Sequence, residues 1–130
     1  MPSQRRAAAA DLQALFVSDC TIEFTNINGH RYDGHAGIME LFGETLAGAV
    51  AWMAHYFCNP VIEIEDDRAS AYWLLYAAST PRTDPKAPPK ITYGRYQDSY
   101  RRTPTRWAQT ELRVSNETPA TANPFVRAQP

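Results

Sequence analysis

A chain of 130 residues, 44% hydrophobic and 21% charged, has the composition of one globular domain with a core large enough to fold without staples. Its formal net charge of −1 excludes the basic footprint that nucleic acid or an anionic membrane selects. Cys20 and Cys58 belong to no CxxC or Cys/His pattern, which predicts free thiols in a reducing compartment and no metal site.

The start, MPSQRRAAAADLQ, lacks the apolar core of a signal peptide, and no apolar run is long enough to span a bilayer. A cytoplasmic location is expected. The alanine run predicts a helix from Gln4 to Phe16, with Leu12, Leu15 and Phe16 on one face and Ser3 placed to cap it. CTIEF (20–24) is strand-like. Turn signals at Asn28-Gly29 and Asp33-Gly34 make 20–33 a hairpin, with Tyr32 on its second arm. A second helix is predicted over His35–Ala49, begun by Asp33 or Gly34, with Ile38, Leu41, Phe42 and Thr45 on one face. Gly37, Gly43 and Gly48 lower its propensity, so packing must hold it.

The rest reads as β. A long strand covers Trp52–Glu65, broken near Asn59-Pro60, because proline within a strand implies a bulge, an edge or a bend. Asp66-Asp67 turns into a strand over 69–79. TPRTDPKAPPK (80–90) carries four prolines and forms a loop. ITYGRYQDSYRR (91–102) alternates, and RWAQTELRV (106–114) closes the series. One domain is expected over 1–114, followed by a polar, proline-rich tail over 115–130. The class is α+β: helices packed on the concave side of a curved antiparallel sheet of about six strands. Asn59-Pro60 and Gly94 would bend it around a cone-shaped cavity.

His55 is the main candidate for chemistry. Period-two alternation puts Met53, His55, Phe57 and Asn59 on one face of their strand. An imidazole in an apolar pocket titrates near neutrality and suits proton removal beside a carbonyl; the competing reading is a buried histidine bonded to a backbone carbonyl or carboxylate. Gly94, Tyr96, Asp98 and Tyr100 share a face of the later strand, so Tyr96 and Asp98 are candidates to relay from or orient His55. They would serve equally as a structural Tyr–Asp network. Tyr32, Trp52, Phe57, Asn59 and Trp73 are candidate walls for a flat ligand, although aromatics at this density also build cores. Arg95, Gln97, Gln109, Glu111 and Arg113 suit a solvated or dimer-facing surface. His30 and His35 suit solvent. No metal constellation, phosphate loop or nucleophile triad is found, so no cofactor is expected.

The segments DLQALFVSDCTIEF, YDGHAGIMELF, HYFCNPVIEIEDDRASAYW and GRYQDSYRRTPTRWAQTELRV, in that order, resemble the SnoaL-like branch of the NTF2-like (cystatin-like α+β) superfamily, over residues 11–114. The resemblance implies a six-stranded cone closed by helices and a homodimer through the outer sheet face. It also implies a hydrophobic small-molecule substrate and a cavity-facing histidine at the start of an HxxxN-P stretch. The branch includes polyketide cyclases, dehydratases and steroid isomerases. It also includes non-catalytic binding modules, so fold alone does not decide function. Two departures follow. Residues 1–10 hold no Tyr, Asp, Glu or His to supply the helix-borne acid or hydroxyl common in such proteins. Phe24, or at most its neighbour Glu23, stands where the steroid isomerases place their basic aspartate. The expected activity is therefore a cofactor-independent dehydratase, isomerase or cyclase centred on His55. The alternative is a ligand-binding or dimerisation module.

Overall fold

The computed structural model describes residues 10–25 and 29–116. Helical residues 10–14 (α1) lead into β1 (Phe16–Phe24) and the short β2 (Arg31–Asp33). Then come α2 (Gly34–Glu40), a π-helical turn (Leu41–Thr45) and α3 (Leu46–Ala49), which together form one continuous helix. Four long strands complete the chain: β3 (Val50–Glu65), β4 (Arg68–Pro81), β5 (Lys90–Arg102) and β6 (Trp107–Asn116). The six strands form one sheet in the order β2-β1-β6-β5-β4-β3.

The sheet is mixed, which corrects the expectation of a wholly antiparallel one. β1 and β6 pair in parallel, with Ile22 beside Leu112 and Phe24 beside Val114. β3 to β6 form an antiparallel meander, and its last strand lands beside the first strand of the chain. That contact joins residues about ninety positions apart, and no local pattern encodes it. A second correction concerns the first helix. It ends before Phe16, because Phe16 opens β1 and is buried there. Its predicted start and cap at Ser3 lie outside the described residues, as does the chain beyond Asn116.

Asp33 sits at the N-cap of α2 in extended conformation but makes no side-chain cap bond. Its carboxylate instead accepts from Arg31 Nε at 2.8 Å. Gly37 lets α2 lie directly on β2, since a Cβ there would meet the Tyr32 carbonyl carbon at 2.9 Å. The far end of the helix passes straight into β3. Its orphan carbonyls are taken up by Arg82, whose side chain donates to Ala47 and Val50 and whose backbone N–H donates to Ala49.

Cys20, Ile22 and Ile38 are the most deeply buried side chains, packed with Phe16, Leu41, Leu112 and Val114 between α2, β1 and β6. Burying Ile22 and Ile38 contributes about 1.5–3 kcal/mol each. This core anchors one end of the molecule. The long strands β3–β5 run beyond it, so their concave face is free to form a cavity.

Two local insertions set which side chains face that cavity. Asn59 and Pro60 stand opposite the single residue Trp73 of β4, and Asn59 takes φ +51°. This is a bulge of two residues against one, and it inverts the in–out phase of β3 beyond it. A second bulge at Thr110 lets Tyr100 pair with Gln109 while Ser99 pairs with Glu111.

Candidate functional site

The concave face of the sheet and the helical layer enclose an open cavity of about 650 Å³. Its walls are mainly apolar and include Leu12, Phe42, Leu46, Met53, Phe57 and Trp73. Polar side chains from the sheet interrupt them: His55 from β3, Thr92, Tyr96, Asp98 and Tyr100 from β5, and Gln109 from β6. On β5 the inward set is that of strict alternation, because no bulge interrupts Thr92–Asp98.

His55 lines this wall and is exposed towards the open cavity. It lies opposite Ala77, which in turn lies opposite Thr92. Its neighbours are rings. Tyr96 stands perpendicular to it at 6.5 Å between centroids, and Phe57 is at 6.2 Å. Among the described residues the imidazole forms no hydrogen bond. Burial lowers its pKa below the ordinary 6.5, so it is neutral at pH 7.

Tyr96 packs on Phe57 with ring centroids 4.9 Å apart. Burial, reinforced by the charge of Asp98, pushes its hydroxyl up to about 12, so it remains a proton donor across the physiological range. Asp98 is itself buried, opposite Ala71 on one side and Leu112 on the other. Its Oδ2 accepts from the Tyr100 hydroxyl at 2.8 Å, while Oδ1 has no partner of good geometry among the described residues. Burial raises the Asp98 pKa, against smaller opposing effects from Tyr100 and the nearby Trp73 indole. Tyr100 is raised as well, by burial and by the same carboxyl.

The structure thus brings His55, Tyr96, Asp98, Phe57 and Trp73 to one cavity. It does not bring Asp98 to His55. The two sit at cross-strand levels six residues apart along β5, about 20 Å of strand. Three expected wall residues stand elsewhere. Trp52 lies on the opposite face of β3 from Met53 and His55 and is half exposed, because adjacent residues on a strand point to opposite sides. Tyr32 is buried in the core, edge-on to Phe24 at 6.1 Å, because β2 sits at the sheet end covered by α2. Asn59 occupies the bulge in a left-handed conformation and does not line the cavity.

Other residues entered unforeseen. Gln109 was expected on the outer surface; the Thr110 bulge turns it inward. His35, expected in solvent, bonds the Phe16 carbonyl through Nε2 at 2.9 Å and ties α2 to β1. Tyr100 was legible from its alternation with Asp98. Leu46 was not, since only the π turn brings it to the wall. Cys20 is buried, Cys58 is exposed, and both are free thiols. Among the described residues no cluster of three or more His, Cys, Asp or Glu is placed to hold a metal, and no helix is long and apolar enough to cross a membrane.

The SnoaL-like domain family matches residues 4–113. No curated protein matches the chain significantly. Among solved structures, a hexachlorocyclohexane dehydrochlorinase (LinA type 2) superposes with TM-score 0.75 at 16% identity, over 94% of this chain and 80% of that one. A LinA-type3 dehydrochlorinase from Novosphingobium barchaimii gives 0.73 at 17% identity, over 95% and 84%. An NTF2-like superfamily protein from Salmonella enterica gives 0.74 at 16% identity, over 93% and 85%. At these identities the likeness is one of fold.

Proposed function

Because the chain belongs to the SnoaL-like domain family, we propose that it is a cofactor-independent acid–base enzyme acting on a hydrophobic small molecule of polyketide- or steroid-like shape. The reaction is a dehydration, isomerisation or cyclisation beside a carbonyl group. The observation that carries this reading is His55: a neutral imidazole with no hydrogen bond among the described residues, on the wall of an open apolar cavity, beside the partly buried phenol of Tyr96. A histidine retained for structure would be expected to be capped by a backbone carbonyl or a carboxylate, in a cavity filled by aromatic rings.

In this mechanism His55 takes a proton from the carbon next to the substrate carbonyl. Negative charge develops on the carbonyl oxygen, and the Tyr96 hydroxyl donates to it. In a dehydration the C–O bond of the β-hydroxyl then breaks, and that oxygen leaves as water after accepting a proton. That proton is the one His55 has just taken, since Asp98, six residues along β5 from the level of His55, lies out of reach of the same bond. In an isomerisation His55 returns its proton to a different carbon. The dehydrochlorination in the names of two fold neighbours is an elimination of the same general kind.

The outer sheet face bears exposed Trp52, Tyr56 and Leu74, and we propose that it forms a homodimer contact. Sedimentation of the wild type and of Tyr56→Glu checks this; a monomeric wild type at micromolar concentration rejects it. The catalytic reading is tested by turnover of a panel of β-hydroxy polycyclic ketones. His55→Ala should abolish any conversion found, and undiminished conversion by that variant would sink the assignment.

A further inference from the structure

The two walls of the cavity differ in chemistry. The helical wall presents Leu12, Leu15, Leu41, Phe42 and Leu46, with no polar side chain among the described residues. The polar groups come from the sheet. Tyr96, Asp98 and Tyr100 form a row along β5, flanked by His55 across β4 on β3 and by Gln109 on β6.

The π turn sharpens this division. Regular helical spacing from Ile38, Leu41 and Phe42 carries Thr45 to the inner face. In the structure the Leu46 N–H bonds the Leu41 carbonyl, five residues back, so one extra residue occupies the turn. Thr45 is consequently exposed, and Leu46 takes its place on the cavity wall. The one hydroxyl that the helix would have offered to a ligand is turned to solvent.

We infer that the ligand is a flat apolar skeleton whose oxygen substituents project from a single edge, inserted with that edge along the sheet row and its bare edge against the helices. Leu46 is then a specificity-determining residue. It excludes isomers with an oxygen on the opposite edge, because that oxygen loses its water and finds no partner. The inference rests on the reading that this cavity is the substrate site, and it narrows the class of substrate.

The test uses two non-reacting isomers, 2,7- and 2,6-dihydroxynaphthalene, which carry their hydroxyls on one long edge and on opposite edges respectively. Binding is followed by calorimetry. The wild type should bind the 2,7-isomer about tenfold more tightly. Leu46→Ser should shrink that preference to about threefold or less by accommodating the 2,6-isomer, and Thr45→Val should leave it unchanged. Leu12→Ser, on the same wall, carries the same expectation and replaces Leu46→Ser if that variant does not fold. Equal affinities in the wild type, or a preference unmoved by either serine, would overturn the inference. Conversion of substrate by His55→Ala would reject the acid–base reading while leaving this binding preference intact, so the two failures are distinguishable.

Discussion

The Tyr96 ring stands at 90° to the His55 imidazole with 6.5 Å between their centres, while the Asp98 carboxyl that might have steadied that imidazole binds Tyr100 instead. Among the described residues no group holds either imidazole nitrogen, so the tautomer is set by whatever occupies the cavity. A base of this kind gains its direction from the substrate. A carboxylate partner would have raised the imidazole pKa; burial without one lowers it.

This arrangement fixes the pH behaviour of His55. The neutral form is the base, so kcat/KM should fall as the pH drops through the folded-state pKa, with a midpoint below 6.5. The same lowering means that the unfolded chain binds this proton more readily. Stability linked to His55 is therefore present above pH 6.5 and is lost as the pH falls towards the folded value. Titration of the imidazole C–H resonances should show the depressed midpoint. His55→Gln should remove both the titration and this part of the acid sensitivity. A midpoint at or above 6.5 would contradict the burial argument.

Tyr96→Phe separates packing from hydrogen bonding. The ring stays against Phe57 and only the hydroxyl is removed. Turnover should drop about 100-fold with little change in KM, as when one oxyanion donor is deleted. The melting temperature should move little, since the Tyr96 hydroxyl has no hydrogen bond to lose among the described residues. A variant that keeps wild-type kcat would remove Tyr96 from the chemistry.

The fold was largely legible because its signals are local. Alternation on β5 put Tyr96, Asp98 and Tyr100 on one face, and the Asn59-Pro60 break announced the bend in β3. The errors trace to single-residue insertions and to long-range pairing. The π turn exchanged Thr45 for Leu46, and the Thr110 bulge turned Gln109 inward. Both are backbone choices settled by packing, and periodicity carries no mark of them. Tyr32 was misplaced because burial under α2 depends on the close approach at Gly37, which a strand pattern does not encode. The parallel β1–β6 contact likewise forms only once the whole meander has closed. His55 and Asp98 each reach the cavity, but their separation depends on the register between β3, β4 and β5, and sequence alone left it open.

Asp98 and Tyr100 should respond to mutation in opposite ways. The folded-state pKa of Asp98 is raised, so the folded protein holds this proton more tightly than the unfolded chain. Its stabilising contribution is full below pH 3.8 and is lost as the pH rises through the folded value. Asp98→Asn removes that loss and keeps an oxygen for the Tyr100 hydroxyl. It should melt higher than the wild type at pH 7, relative to their order at pH 3. Tyr100→Phe strips the carboxyl of its hydroxyl partner and should destabilise the protein by about 1–3 kcal/mol. Thermal melts of the two variants across pH 3–8 check both signs. An Asp98→Asn variant that gains nothing towards neutral pH would show the carboxyl to be ionised without penalty.

Gly94 tests how the sheet is shaped around the cavity. It pairs with Asn116, and a Cβ at this position would lie 2.2 Å from the Ser115 carbonyl oxygen. The obstacle is backbone, so no side-chain rotation relieves it; β5 and β6 must separate. Gly94→Ala should therefore cost about 2–3 kcal/mol, seen as a drop in melting temperature of roughly 10 °C. Because Ser115 and Asn116 line the cavity, the same separation should weaken ligand binding. Gly48→Ala is the contrasting case. Nothing lies within 4 Å of a Cβ there, and α3 is exposed at that point, so the change should stabilise by about 0.5–1 kcal/mol through helix propensity. Matched melts of the two alanine variants distinguish a steric requirement of the cavity wall from a general dislike of added side chains. Equal, small effects would show that β6 yields freely at Ser115 and that the curvature does not depend on Gly94.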